Sequence, residues 1–260
     1  MTQNIYELHQ GTTPLFVSLP HDGTAVPEAI AARMTASARR VPDTDWHVAR
    51  LYAFAREMGA SVIAPRYSRY VVDLNRPPDD VSLYPGQNTT GLCPIVQFSG
   101  EPVYLEGQTP TPGEIVARVE TYWRPYHDAL RAEIARIRSV HGRVLLWEGH
   151  SIRGVVPFLF EGRLPDFNVG TASGTSCSPG VQHRIEAALA AQSRHDFVVN
   201  GRFKGGYITR YHGDPANGVD AVQLEISQRI YMDEDMFAWD ATKAPGAQAV
   251  IRSLIEAALG

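Results

Sequence analysis

The strongest constraint on the fold is a set of short, densely apolar segments spaced along the chain. Residues 15–20 (LFVSLP), 61–65 (SVIAP), 69–75 (RYVVDLN), 143–149 (RVLLWEG), 197–201 (FVVNG) and 221–227 (AVQLEIS) read as strands. Runs this short and apolar suit strands covered on both faces. Longer stretches with helical spacing lie between them. Residues 43–59 (DTDWHVARLYAFAREMG) predict one helix, with Asp43 at its N-cap and Gly59 just past its end. Helices are also predicted over 113–123 and 126–140, divided around Pro125, and over 178–192 and 246–259. The alternation predicts an α/β fold, a mixed, mostly parallel sheet flanked by helices. No composition break divides the 260 residues, so a single domain over 1–260 is expected. Residues 77–112 are rich in Pro and Gly and predict a long irregular loop, a common place for function.

Bulk chemistry narrows the partners. Apolar residues make up 44% of the chain, charged residues 20%, and the formal net charge is -4. There are no Lys/Arg runs, so nucleic acid is not an expected partner. No apolar run is long enough to span a bilayer, and the N-terminus lacks the pattern of a signal peptide. Cys93 and Cys177 are far apart and form no CxxC, which fits a reducing cytoplasm. A small-molecule ligand, with the protein a monomer or small homo-oligomer, is the expectation.

In open α/β sheets, ligands bind beyond the carboxyl ends of the strands. The first strand leads to His21 and Asp22, and the 143–149 strand to Glu148, His150 and Ser151. The 221–227 strand carries Glu225 near its end, and the 69–75 segment carries Asp73, Asn75 and Arg76. Each has an ordinary reading: a turn histidine, a carboxylate near a helix start, an outward strand residue paired with an arginine. Together they place ionisable groups from four segments at one edge, where surface decoration would scatter them. Two histidines, a carboxylate and one open position make the usual catalytic zinc site. Asp45 is a candidate carboxylate: on the predicted helix it shares the apolar face with Val48 and Tyr52, where an unpaired charge is costly. Asp22 and Glu148 are rival ligands.

The motifs DLNR (73–76), PHDG (20–23) and GHS (149–151) carry a resemblance. With DTDWHV, SRYVVDLNRPP, LYPGQNTTGLCP, FKGGYITRYHGDP and VQLEISQRIYMDE, it spans nearly the full length. The chain resembles the N-formylglutamate amidohydrolases, deformylases of histidine degradation. More distantly it resembles zinc carboxypeptidases and aspartoacylases, with their phosphorylase/hydrolase-like α/β fold. The resemblance implies one Zn2+ per chain, with His21 and His150 as ligands. It implies Asn75 and Arg76 as binders of a substrate carboxylate and Glu225 as general base. The carboxypeptidase pattern His-x-x-Glu fails here because Thr24 holds the glutamate's place. Related zinc amidases take the carboxylate from the following helix, which points to Asp45, and Glu148 is then left to orient a ligand.

The implied substrate, N-formyl-L-glutamate, has two carboxylates and needs cationic partners. After Arg76, Arg69 and Arg210 are the candidates, ahead of Arg153 and Lys204; Arg69 reads equally well as a structural ion pair. The loops 77–112 and 203–213 are the expected walls. Two other readings compete: a related zinc amidase or carboxypeptidase-like hydrolase acting on another N-acyl amino acid, and a metal-free binding protein of the same architecture.

Overall fold

The computed structural model describes residues 4–260. Seven strands form the main sheet: β1 (Tyr6–His9), β2 (Leu15–Ser18), β3 (Ser61–Pro65), β4 (Val144–Ile152), β5 (Phe167–Gly170), β6 (Phe197–Val199) and β7 (Val219–Ser227). Their order is β1-β3-β2-β4-β7-β5-β6. The central strands β3, β2, β4 and β7 run parallel, whereas β1 is antiparallel to β3 and β5 antiparallel to β7. A two-stranded ribbon, β8 (Met232–Asp233) with β9 (Ala238–Trp239), stands apart. The helices are α1 (Glu28–Ala31), α2 (Val48–Leu51), α3 (Phe54–Glu57), α4 (Pro112–Arg118), α5 (Arg124–His141), α6 (Pro179–Ala191), α7 (Tyr207–His212) and α8 (Ala244–Leu259). This is the α/β architecture, mixed and mostly parallel, that the alternating pattern predicts.

The central strands are apolar on both faces because helices cover both faces. Leu15, Val17, Leu145, Trp147, Val222 and Leu224 pack on one side with α2, α6 and α8. Phe16, Val144, Leu146 and Ala221 point the other way, onto Leu130, Ile134 and Ile137 of α5. All nine residues of β4 are buried, so any polar side chain in it must find a partner inside the protein.

Three predicted elements differ. The helix expected over 43–59 is two short turns, α2 and α3, and it starts only after His47. Val41 and His47 have positive φ, 45° and 64°, which no helix accommodates. The Asp45 N–H bonds to the His21 carbonyl at 3.1 Å, and Asp43 accepts from the Phe98 N–H at 2.9 Å instead of capping a helix. Asp45 therefore precedes the helix and does not share its apolar face. Gly59, at φ 73°, does close the second turn. Residues 69–75 form no strand: they run as a buried, turn-rich segment, with Asp73 Oδ1 accepting the Asn75 N–H at 2.9 Å in place of a ladder. Pro125 does not divide two helices. Five residues, Val119–Trp123, are wound as a π-helix between α4 and α5, and Pro125 sits in the first turn of α5.

Helix α5 pins the 73–76 segment from behind. The Trp123 indole N–H donates to the Arg76 carbonyl at 3.0 Å, and His127 Nε2 donates to the Leu74 carbonyl at 2.9 Å. Burial pushes His127 down to about 3 and the neighbouring His212 down to about 4. Both imidazoles are neutral in the folded protein but take up a proton near pH 6.5 when unfolded. The unfolded chain thus binds more protons below that pH, and stability falls as the pH drops from about 6.5. Each group removes up to about 1.4 kcal/mol per pH unit. Chemical unfolding between neutral pH and mild acid is expected to show this slope, and His127→Gln is expected to flatten it.

Candidate metal centre and active site

Two imidazoles meet one carboxylate at the carboxyl ends of the central strands. His21 lies just past β2, and His150 lies inside β4. His150 Nδ1 is 3.0 Å from Asp45 Oδ2, and His21 Nδ1 is 3.7 Å from the same oxygen. Each imidazole turns its other nitrogen to a second buried carboxylate. His21 Nε2 donates to Asp73 Oδ1 at 2.7 Å, and His150 Nε2 donates to Glu148 Oε1 at 2.6 Å. The ring centroids are 4.8 Å apart. Nε2 of each ring is thus engaged by its own carboxylate, and the two Nδ1 atoms are left to face Asp45.

This arrangement fits a divalent cation. Ligand atoms of His21, Asp45 and His150 all lie within 4.8 Å of one another. Tetrahedral zinc with ligand bonds near 2.0–2.1 Å spaces its donors about 3.3 Å apart. A backing carboxylate on each ligand histidine is the usual support of such sites. The rival carboxylates have other tasks. Asp22 accepts from the Ala49 N–H at 3.0 Å, and Glu148 is held by His150 and by the N–H and hydroxyl of Thr209.

Electrostatics follow from burying four acids together. Burial pushes the Asp73 carboxyl up, but Arg69, His21 and Arg76 outweigh it and hold it well below its usual range. Burial likewise opposes ionisation of Asp45, and its hydrogen bonds with His150 and His21 overcome the penalty. His150 is lowered by burial but raised more by Glu148 and Asp45, ending well above an ordinary imidazole. Glu225 differs. It stands beside His150 in the β4–β7 register, and no described residue hydrogen-bonds its carboxyl. Burial pushes it up to about 8, with Asp45 adding to the shift and His150 opposing it. A carboxyl with that affinity for protons can both accept and return one near neutral pH.

His21, Asp45, His150 and Glu225 line one narrow cavity of about 60 Å³. Asn75, Arg76 and Arg69 line it too, each fixed differently. The Asn75 carboxamide accepts from the Ile208 N–H at 2.9 Å, which turns its NH2 to within 3.2 Å of His150 Nε2. Arg76 donates to the Thr90 and Asn75 carbonyls at 2.8 and 3.2 Å and has no carboxylate partner among the described residues. Arg69 is buried and ion-paired to Asp73 at 2.7 Å, so its structural reading holds as well as its place on the wall. Arg210 is exposed on α7, donates to the Gly205 carbonyl at 2.8 Å and is not part of the wall. Arg153 pairs with Asp235, and Lys204 lies off the wall as well. Sequence reasoning missed Asp73 as a histidine partner, and it missed Tyr84 and Arg202 on the wall. The carboxylate of the DLNR motif was a signal for Asp73; Arg202 sits in a loop with no periodicity to mark it.

The convergence yields a direct test. Asp73→Asn removes the negative charge behind His21 and is expected to weaken Zn2+ binding by about 10–100-fold in a competition titration. Asp22→Asn is expected to leave the affinity unchanged, since Asp22 faces the Ala49 N–H.

A family model described as N-formylglutamate amidohydrolase matches residues 13–232. An N-formylglutamate deformylase of Pseudomonas putida is 48% identical over 256 residues, 98% of this chain and 96% of the relative. One from Pseudomonas aeruginosa is 50% identical over the same shares. The crystal structure of an N-formylglutamate amidohydrolase from Ralstonia eutropha superposes with a TM-score of 0.81 at 26% identity, covering 98% of this chain and 96% of that one.

Proposed function

We propose, because the chain belongs to the N-formylglutamate amidohydrolase family, that it hydrolyses N-formyl-L-glutamate to formate and L-glutamate as a zinc-dependent enzyme. His21, Asp45 and His150 would hold one Zn2+ per chain. The observation that carries the reading is the convergence of both Nδ1 atoms on Asp45 with an unbonded, proton-avid Glu225 beside them.

A zinc ion held there supplies Lewis-acid chemistry, making water more acidic and a carbonyl more electrophilic. Glu225 takes one proton from the attacking water as the new C–O bond forms at the formyl carbon. It then delivers that proton to the amide nitrogen as the C–N bond breaks, so the amine leaves neutral. Arg69, charged and on the cavity wall, stabilises negative charge developing on the carbonyl oxygen. Asp73 and Glu148 keep both imidazoles in one tautomer throughout. Arg76 takes a substrate carboxylate, with Asn75 beside it; its guanidinium offers a fork that matches a carboxylate in two bonds. The narrow cavity favours a formyl group over larger acyl groups. The same reading puts the reaction in histidine degradation and in a reducing cytoplasm, which suits two buried, free cysteines. No helix among the described residues is long and apolar enough to cross a membrane.

A substrate panel tests the reading. N-formyl-L-glutamate is expected to give a higher kcat/KM than N-acetyl-L-glutamate or a dipeptide; the reverse order would assign the chain to another zinc amidase activity. Zinc is expected to copurify, and protein that neither holds metal nor responds to it would point to a binding protein. Glu225→Gln is expected to lower kcat by about 10²–10⁴-fold with zinc retained. Loss of the metal in that variant would make Glu225 a ligand instead. Arg76→Lys keeps the charge but loses the fork, and is expected to reduce kcat/KM at least about tenfold.

A further inference from the structure

The cavity holds a third guanidinium, beyond Arg69 and Arg76, that the catalytic groups leave unused. Arg202 lies between β6 and α7 and lines the same wall as Arg76. Neither arginine has a carboxylate partner among the described residues. Both are instead positioned by neutral acceptors. Arg202 Nε donates to the Leu159 carbonyl at 2.9 Å and Nη2 to the Asn88 carbonyl at 2.9 Å. Its guanidinium lies over the rings of Tyr84 and Phe203, 5.5 and 5.3 Å from their centroids. Backbone carbonyls and flat rings fix the plane of the fork without cancelling its charge.

Two guanidiniums without an ion pair among the described residues share one small cavity and repel each other, and each is partly stripped of water. Burial pulls Arg202 below the ordinary guanidinium range, and the nearby Arg76 charge adds to the effect. A fold that gained nothing from this pair would be more stable with a carboxylate between them, as Arg69 has in Asp73. A dicarboxylate ligand supplies that missing charge.

We infer that Arg202 is the specificity-determining residue that takes the substrate's side-chain carboxylate, while Arg76 takes the carboxylate beside the reacting amide. The assignment rests on the reading of the substrate as an N-formyl dicarboxylic amino acid. Its direction comes from the placement of the two arginines. Arg76 follows Asn75, whose amide touches His150, so it stands at the reacting end. Arg202 is held by Leu159, Asn88, Tyr84 and Phe203, and makes no contact with His21, Asp45, His150 or Glu225. The α-carboxylate is attached to the carbon next to the amide nitrogen, and the side-chain carboxylate lies further out. The near carboxylate therefore meets the near arginine.

The test compares N-formyl-L-glutamate with N-formyl-L-glutamine, which has the same size but a neutral side chain. Arg202→Met is expected to lower kcat/KM for the glutamate substrate by about 100-fold, mainly through KM. For the glutamine substrate the loss is expected to stay below about threefold. Arg202→Lys is expected to fall between wild type and Arg202→Met on the acidic substrate alone. Equal losses on both substrates, or no loss on the acidic one, would overturn the assignment. Circular dichroism and thermal melts accompany the kinetics. If the methionine variant does not fold, the same comparison on the lysine variant decides. Failure of the underlying function looks different: the wild-type protein itself would not hydrolyse N-formyl-L-glutamate, and the assignment would fall with it.

Discussion

The structure depends on one crowded contact, the Asp45 carboxylate facing both imidazole Nδ1 atoms deep in the protein. Three further acids, Asp73, Glu148 and Glu225, are buried around it. Left alone, any one of them would cost several kcal/mol to bury in ionised form. The arrangement is tolerable because each acid has polar partners: Asp73 the His21 ring and Arg69, Glu148 the His150 ring, and Asp45 both rings. Among the described residues only Glu225 finds no such partner, and it responds by holding its proton more tightly. The lowered carboxyls of Asp45 and Asp73 and the raised one of Glu225 thus come from the same burial, separated by who stands next to them.

The sheet performs the positioning. β4 and β7 run in parallel register with His150 opposite Glu225 and Glu148 opposite Gln223, so a strand period of two places the metal-facing ring and its backing carboxylate on one face. His21 follows β2, the other neighbour of β4. Strand pairing sets distances between residues more than a hundred positions apart in sequence, which loops alone would hold far less firmly.

His21, His150 and Glu225 were legible in the sequence because each lies on or just after an apolar run, and such runs announce themselves locally. Asp45 was singled out by its place on a helix face that the structure does not contain. The residue nevertheless arrives beside the histidines, because the turn ahead of α2 bonds back to the His21 carbonyl. The irregular 73–76 segment looked like a strand because its apolar residues are buried, yet its backbone is satisfied by an Asp73 side chain and by α5. β1 and β5 escaped notice, being four residues each, at or near the sheet margins. Arg202 and Arg210 show the same limit. Which arginine of a loop region faces a cavity is decided by tertiary packing, and nothing in local spacing separates them.

The π-wound stretch before α5 has a reach beyond its own five residues. A π turn holds about one residue more than an α turn, so the extra residue is absorbed without rotating the helix beyond it. Were Val119–Trp123 wound as ordinary α-helix, the face of α5 would swing by roughly 100° relative to α4. The indole of Trp123 and the ring of His127 would then miss the carbonyls of Arg76 and Leu74. An irregularity in a helix far from the chemistry thereby acts as the phasing device for the segment that presents Asp73, Asn75 and Arg76. Insertions or deletions in that helix, however harmless on its solvent side, would be read out as misaimed side chains in the cavity.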